Sequence, residues 1–427
     1  MLSDACANAD LDAVLALLGM STAADHWRAH WADSQSALPS GAIPFLSGDY
    51  VHQSCRFLNI APEIEIALLH AAQEIEASAP LRQIAWHCHW LLFRSSEDQS
   101  ASIRYWPMPP RELGDAAQSL YAIVFLSGLP FLQEIHRRRG IDEGITIETL
   151  ADLELWMREH RKRHGVWGLS ENAWIARHFY GQLIRLGRLQ FEPARFRDDF
   201  HVFLHRTEGR IVILAGDGMQ FRRDGLFSDA DGAVGNELNA QASEDDWWTA
   251  VYSEDGKIIR GHAISPRGAA LVAPIEIQTQ EWTCALKKDD PALAVHIPAI
   301  GPMSPEACAE SFRRALEFFP KHYPDHPFRG FTCFSWLLDP QFQDYLSPSS
   351  NIVCFQRAAH LFPVPGATDR QMFDRVFEGP FYDLSQAPRD TALRRAILEH
   401  IERRGCWRMG GALWIANDCQ MEQALEQ

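Results

Sequence analysis

The sequence contains few of the features that would assign it to a disulfide-rich or metal-bound class of protein. Its nine cysteines are an odd number, no two of them form a C-x-x-C pair, and the closest two are Cys406 and Cys419. Neither a disulfide framework nor a zinc ribbon is predicted from this spacing. We expect reduced, buried thiols in a cytoplasmic protein.

Positive charge and long apolar segments are also scarce. Lys and Arg number 40 against 56 Asp and Glu, a net charge of −16, so the molecular field repels phosphate backbones and anionic lipid. The longest apolar run, from Leu120 to Leu132, is interrupted by Gly128 and Pro130. It falls short of the about 20 residues that cross a bilayer, and no basic residue opens the N-terminus as in a secretory signal. We expect no nucleic-acid partner and no membrane partner, and the oligomeric state stays open.

Motifs for the commonest hydrolytic and metal chemistries are missing. No G-x-S-x-G elbow and no P-loop occurs, which removes the usual support for a serine hydrolase or a nucleotidase. The residues His87, Cys88 and His89 resemble metal ligands, but consecutive side chains on a helix point in different directions. We predict a packed core helix there, and no metal site.

The hydrophobic pattern divides the chain into two regions. Apolar residues repeat at helical spacing over the first 190 or so residues, after which the period changes from 3.6 to 2. This predicts an α+β architecture: a helical N-terminal domain, taken as 1–145, followed by a mixed-sheet domain with flanking helices, 146–427. A stretch rich in Asp, Ser, Gly and Asn at about 225–248 is predicted to be a solvated insertion in the second domain.

Individual elements follow from capping and turn signals. Helices are predicted over Leu11–Leu18, from Pro62, from Pro80, over Leu113–Arg139 in two pieces, from Thr149, from Ser170 to Gly187, over Ser304–Phe319 and over Asp390–Arg403. Strands are predicted over Phe200–Leu204 and Ile211–Leu214 as a hairpin, over Trp282–Leu286 and Ala292–Ile297 as a pair, and over Phe331–Trp336, Ile352–Phe355 and Ala412–Ile415.

The most informative segment joins a strand to a helix. Pro298 falls inside a predicted strand, where a proline removes one hydrogen bond of the ladder, so the strand should part from its neighbour there. Gly301 then allows a turn, Ser304 is a good N-cap, and Pro305 suits the first helical position. If Phe331–Trp336 lies beside this strand in parallel, the gap becomes a cleft above a helix N-terminus that can bind an anion. The alternative is a well-capped βα turn without a ligand.

Several motifs in this order resemble a known family. They are Arg188-Leu189-Gln190-Phe191, His296-Ile297-Pro298, Gly301, Ser304-Pro305-Glu306, Ser335-Trp336-Leu337-Leu338-Asp339-Pro340 and Ser350-Asn351-Ile352-Val353. The sequence is similar to bacterial two-domain proteins with an N-acyltransferase N-terminal domain and a GNAT-like C-terminal domain. The resemblance implies a GNAT-like fold for the second domain and transfer of an acyl group from acyl-CoA or acetyl-CoA to a small-molecule amine or a peptide.

The resemblance also implies a site. In GNAT enzymes the fourth and fifth strands splay apart to admit the pantetheine arm of CoA, which here corresponds to a strand ending near Ile300 and to Phe331–Trp336. The implied cofactor-binding residues are Pro298, Ala299, Ile300, Gly301, Met303 and Ser304. The resemblance implies Tyr345 as an acid for the leaving thiolate. The chemistry of the residues adds His296, an imidazole, as a base and Ser335 as a residue that orients the substrate. A structural place in the core is the alternative for both His296 and Tyr345.

Two alternatives stay open. The GNAT phosphate motif, Arg/Gln-x-x-Gly-x-Gly/Ala, is absent, Pro302 and Pro305 remove two N–H donors, and Glu306 adds a negative charge at the helix start. These departures favour a non-catalytic binding or regulatory protein on a degenerate GNAT fold. Hydrolysis through Cys333 is the other alternative, although no partner pattern accompanies this cysteine.

Overall fold

The first part of the chain is helical in the structure, which is a computed structural model. It describes residues 10–20, 25–95, 102–227, 247–367, 369–377, 384–403 and 405–416. The helices are α1 Leu11–Leu17, α2 Asp25–Ser36, α3 Gly48–Leu58, α4 Pro62–Ala77, α5 Ala79–Phe93, α6 Asp115–Gln118, α7 Leu120–Leu126, α8 Leu129–Arg139, α9 Glu143–His164 and α10 Asn172–Phe179. A helical first region followed by a mixed sheet was the predicted fold class, and the structure confirms it.

The core of the helical unit explains its aromatic and histidine content. Every residue of α7 is buried, so the first seven residues of the longest apolar run form a core helix. On α5, His87 is fully buried between Trp27 and Trp31, and its Nδ1 lies 2.7 Å from the hydroxyl of Ser34. The His-Cys-His run is therefore part of a packed helix.

Two helix boundaries differ from the prediction. The helix expected to start at Thr149 begins at Glu143, because Asp142 is its N-cap and accepts a hydrogen bond from the N–H of Gly144 at 2.8 Å. The helix expected to end at Gly187 ends at Phe179, and Gly181, with φ of 65°, follows it. In both cases the chain offers two residues of the right kind, Asp142 and Thr149 for the N-cap, and Gly181 and Gly187 for positive φ. The helix uses the earlier one of each pair.

The chain divides into two compact units between Arg185 and Leu186. The expected domain boundary at residue 145 falls inside α9. The polar insertion was expected at 225–248, and residues 228–246 of it lie outside the described residues. The strands are β1 Ile184–Leu186, β2 Leu189–Arg195, β3 Phe200–His205, β4 Ile211–Ala215, β5 Gln220–Arg222, β6 Trp247–Thr249, β7 Tyr252–Glu254, β8 Ile258–Ile264, β9 Ala270–Gln278, β10 Trp282–Lys287, β11 Pro291–His296, β12 Gly330–Ser335, β13 His360–Ala367 and β14 Arg408–Ile415. The helices of the second unit are α11 Pro305–His322, α12 Asn351–Arg357, α13 Asp369–Val376 and α14 Ala392–Glu402.

Two large sheets organise the second unit. One has six strands in the order β1-β2-β11-β12-β14-β13, and the other has the order β10-β3-β4-β8-β7 with β9 paired to β8. In the first sheet β11 and β12 are parallel, whereas β2 and β14 flank them antiparallel. The rings of Phe191, Phe312, Phe331 and Trp414 pack together between α11 and this sheet.

One predicted strand pair is wrong. Trp282–Leu286 and Ala292–Ile297 belong to different sheets, since β10 pairs with β3 and β11 pairs with β2. The chain passes between the sheets at Asp289, where φ is 68°, and backbone hydrogen bonds join Phe196 to both Asp289 and Asp290. This long-range contact replaces the short hairpin that the local pattern favoured.

One predicted strand is a helix. Ile352–Phe355 lies in α12, which begins at Asn351 because the hydroxyl of Ser350 accepts a hydrogen bond from the N–H of Val353 at 3.4 Å. The N-cap outweighs the β-propensity of two branched residues. The hairpin of β3 and β4, the strand β12 and the helix α11 with Ser304 as N-cap are confirmed.

Candidate functional site

The candidate site begins where two parallel strands part. The pairs between β11 and β12 are Leu293 with Phe331, Ala294 with Thr332, and Val295 with Cys333. Beyond Cys333, β12 continues to pair with β14 as far as Ser335 opposite Gly410. The strand β12 is therefore intact along its whole length on one edge, and unpaired with β11 over its last two residues on the other.

The parting occurs at the expected proline. The strand β11 ends at His296, four residues before the expected end at Ile300, and the chain turns immediately after Pro298. The N–H of Ile300 donates to the carbonyl of Pro298 at 2.8 Å, and Gly301 has φ of 49°. The segment 297–303 is thus a loop at the carboxyl end of a parallel strand.

The loop leads into a capped helix. The hydroxyl of Ser304 accepts a hydrogen bond from the N–H of Ala307 at 3.3 Å, and Pro305 occupies the first turn of α11. Within the described residues, the backbone N–H groups of Ala299, Gly301 and Met303 meet no acceptor. These donors and the helix dipole make the loop suited to an oxygen-rich or anionic group.

Glu306 adds an opposing charge. Its side chain is exposed at the start of α11, and hydrogen bonds from its own N–H and from Ser304 keep the pKa of this carboxyl below its ordinary value. An ionised carboxylate therefore lies at the helix start. This agrees with good helix capping and weakens the electrostatic attraction for a phosphate.

His296 has a carboxylate partner that the sequence did not indicate. Its Nε2 lies 3.4 Å from Oε2 of Glu192 on the neighbouring strand β2, and the two side chains retain exposures of 26% and 17%. Because His296 pairs opposite Gln190 and Ala294 opposite Glu192, the two side chains share one face of the sheet. Only the antiparallel pairing of β2 with β11, which joins residues 104 positions apart, could have revealed the partner.

An exposed aromatic ring lies on the same face. In the parallel register Ala294 pairs with Thr332, so His296 and Phe334 project to the face that Ala294 and Thr332 share. Phe334 is 46% exposed, and its ring contacts Phe362 at a centroid distance of 5.8 Å. An imidazole, a carboxylate and an apolar ring thus share one sheet face, at and beside the point where the strands part.

The other two expected catalytic residues have local partners. The hydroxyl of Ser335 accepts a hydrogen bond from the N–H of Leu337 at 3.2 Å and caps a short 3-10 helix. The hydroxyl of Tyr345 lies 3.1 Å from Nδ1 of His400 on α14, and its ring is 6.1 Å from that of Trp407. Their contacts are with neighbouring helices and turns, and they do not join Tyr345 to His296.

Cys333 is unsuited to nucleophilic chemistry. The side chain is 1% exposed, and burial raises the pKa of its thiol to about 12. A reactive cysteine needs an accessible thiolate, which requires a lowered pKa. The alternative of hydrolysis through Cys333 is therefore not supported.

A buried carboxylate lies next to the edge of β12 that pairs with β14. Asp339 follows the strand, is 1% exposed, and accepts hydrogen bonds from the N–H of Arg408 at 2.6 Å and of Gln341 at 2.9 Å. Burial raises the pKa of Asp339 to about 6. Since Arg408 opens β14, this carboxylate ties the end of β12 to the start of its antiparallel neighbour.

The described residues contain no group of three metal-binding side chains, and no helix among them is both long and apolar enough to cross a membrane.

Comparison with known families defines the class of protein. Residues 49–181 match the N-acyltransferase N-terminal domain, and residues 183–413 match the GNAT-like C-terminal domain. The chain belongs to this family of acyltransferase-type proteins. No curated protein matches the sequence.

Solved structures of acyltransferases share the fold. An acyltransferase variant bound to octanoyl-CoA aligns with a TM-score of 0.65 at 23% identity, covering 95% of this chain and 99% of the other. An acyltransferase in complex with decanoyl-CoA and teicoplanin aligns with a TM-score of 0.63 at 23% identity, covering 96% and 100%. A complex of an acyltransferase with CoA and 10C-teicoplanin gives the same values. The similarity extends over both units of the chain.

Proposed function

We propose that this protein transfers an acyl group from acyl-CoA to an amine, with the opening between β11 and β12 as the place where the thioester binds. The observation that carries the proposal is the end of parallel pairing at Val295 and Cys333 above a loop with free N–H donors and a helix N-terminus. The loop residues Pro298, Ala299, Ile300, Gly301, Met303 and Ser304 are proposed to line the donor site. That acyltransferases of the same fold are bound to acyl-CoA supports the choice of donor.

In the proposed reaction, the amine nitrogen attacks the thioester carbonyl carbon, a C–N bond forms and the C–S bond breaks. The amine loses a proton to His296, which Glu192 orients and whose positive charge it stabilises. The N–H of Ala299 is a candidate donor to the carbonyl oxygen as negative charge develops there. The leaving thiolate takes up a proton, for which the hydroxyl of Tyr345 is the proposed donor once it releases its hydrogen bond to His400.

The acceptor is proposed to be an amine on a small molecule or a peptide-like compound. Phe334 beside His296 favours an acceptor or an acyl chain with an apolar portion. The presence of the glycopeptide teicoplanin in two structures of the same fold is consistent with a peptide-like acceptor. A cytoplasmic location is part of the proposal, because the described cysteines are all unbridged thiols, as in a reducing compartment.

The test separates catalysis from binding alone. Titration calorimetry with CoA and with decanoyl-CoA measures donor binding, and release of free CoA thiol in the presence of a panel of amines measures transfer. The proposal predicts saturable binding and amine-dependent thiol release that His296→Gln reduces by about 10² or more. Binding without release from any amine favours the non-catalytic alternative, to which Pro302, Pro305 and Glu306 point. Absence of binding at millimolar CoA contradicts both the donor site and the reaction.

A further inference from the structure

Arg188 lies across the loop that follows β11. Its Nη1 donates to the carbonyl of Pro298 at 2.9 Å, and its Nε donates to the carbonyl of Pro302 at 3.2 Å. One planar guanidinium therefore binds the loop near its beginning and near its end, and bonds from a charged donor are stronger than those from a neutral one.

The backbone of the same residue is anchored to the helix below the loop. The N–H of Arg188 donates to the hydroxyl of Ser311 at 2.9 Å, and that hydroxyl in turn donates to the carbonyl of Ala307 at 2.9 Å. The residue before it, Gly187, has φ of 76° and lies so close to Ser311 that a Cβ would be 3.1 Å from its hydroxyl. Arg188 is thus fixed to α11 at its backbone and to the loop at its side chain.

The direction of these bonds determines where the loop donors point. In a trans peptide the C=O and the following N–H point in opposite directions. Since the carbonyls of Pro298 and Pro302 are directed at Arg188, the N–H groups of Ala299 and Met303 are directed away from it. These are two of the loop donors that meet no acceptor within the described residues.

We infer that Arg188 is a positioning residue for the loop of residues 297–303. By holding the carbonyls of Pro298 and Pro302 on one side, it orients the N–H groups of Ala299 and Met303 toward the opening between β11 and β12. This rests on the proposed function for the identity of the ligand. The guanidinium compensates for the two N–H donors that Pro302 and Pro305 cannot supply, because it fixes the remaining donors before the ligand arrives. In this role it acts through the loop backbone, and contact with a phosphate is not required.

The experiment uses two ligands and three variants of the full chain. Calorimetry measures the affinity for CoA and for pantetheine, which lacks the nucleotide and its phosphates, in the wild type, Arg188→Met and Arg188→Lys. Arg313→Met, on the exposed part of α11 where the side chain pairs with Glu310 and Glu317, is the matched control. We expect Arg188→Met to weaken both ligands by a similar factor, roughly tenfold. Arg188→Lys should recover part of the loss, and the control should bind as the wild type does.

Hydrogen exchange without ligand judges the inference separately from the proposed function. The N–H of Ile300 is bonded to the carbonyl of Pro298, so Arg188→Met should speed exchange in the peptide spanning residues 297–304 and leave β12 unchanged. Unaltered exchange contradicts the positioning role, even if the wild type binds no CoA. A loss of affinity for CoA alone, with pantetheine unaffected, would mean direct contact with phosphate and would also overturn the inference.

Discussion

The two edges of β12 show how one strand can serve both stability and binding. On the edge that faces β14, called the paired edge, all six residues of β12 pair without interruption. On the edge that faces β11, called the open edge, only Phe331, Thr332 and Cys333 are paired. The strand itself is regular to Ser335, so the opening originates in its partner, where Pro298 ends the ladder. The difference teaches that the opening between β11 and β12 is a local property of β11. The uninterrupted pairing of β12 with β14 keeps the rest of the sheet intact.

The largest expected effect concerns the open edge. His296→Gln keeps a polar side chain but removes the base, so kcat/KM for transfer should fall by about 10² to 10⁴. Glu192→Gln, which leaves His296 without its carboxylate, should produce a smaller loss of kcat/KM. Steady-state kinetics with decanoyl-CoA and an active amine measure both. Wild-type rates for His296→Gln, with an unchanged melting temperature, would show that this edge carries no base.

The paired edge should govern stability as a function of pH. Because the pKa of Asp339 is raised to about 6 from an ordinary value of 3.8, the native state binds this proton more tightly than the unfolded chain does. The free energy of unfolding that this group contributes should therefore decrease as the pH rises from about 4 to about 6, by about 3 kcal/mol in total. It should stay level above that range.

Denaturant titrations of the wild type and Asp339→Asn at several pH values test this expectation. As the pH rises across that interval, the free energy of unfolding of the wild type should fall relative to that of Asp339→Asn. A difference that is constant from pH 4 to 7 would mean that the carboxyl titrates normally, and that the paired edge does not depend on it.

Removing the proline ring should make the two edges more alike. Pro298→Ala frees φ at this position and removes the ring that restricts Ile297, which allows the strand to continue beside β12. We expect about tenfold weaker CoA binding and slower hydrogen exchange over residues 297–299. Pro324→Ala, in an exposed turn after α11 and outside the loop, is the control and should change neither. Undiminished CoA affinity in Pro298→Ala would separate the proline from the opening.

The smallest effect on activity is expected at Cys333, which is paired on both edges. Cys333→Ala should leave kcat/KM within about twofold, because burial keeps the thiol protonated at neutral pH. It should lower stability by about 1 to 2 kcal/mol through the buried volume that is lost. Rapid inactivation of the native protein by iodoacetamide, prevented in this variant, would reverse this assignment.

Local signals predicted the open edge better than its surroundings. Pro298, Ser304 and Pro305 act through their own backbone, so the strand end and the capped helix follow from the sequence alone. Glu192 and Arg188 could not be foreseen in the same way, because each reaches the site through a contact with a residue more than 100 positions away. The mistaken pairing of Trp282–Leu286 with Ala292–Ile297 has the same origin, since proximity in sequence outweighed contacts that only the folded sheets define.

The most direct test of the account is a crystal structure of the protein soaked with decanoyl-CoA. We predict density for the pantetheine arm between His296–Pro298 and Phe334–Ser335, with the N–H of Ala299 or Met303 bonded to the ligand. Density for the ligand elsewhere, with β11 and β12 closed against each other beyond Val295 and Cys333, would contradict it.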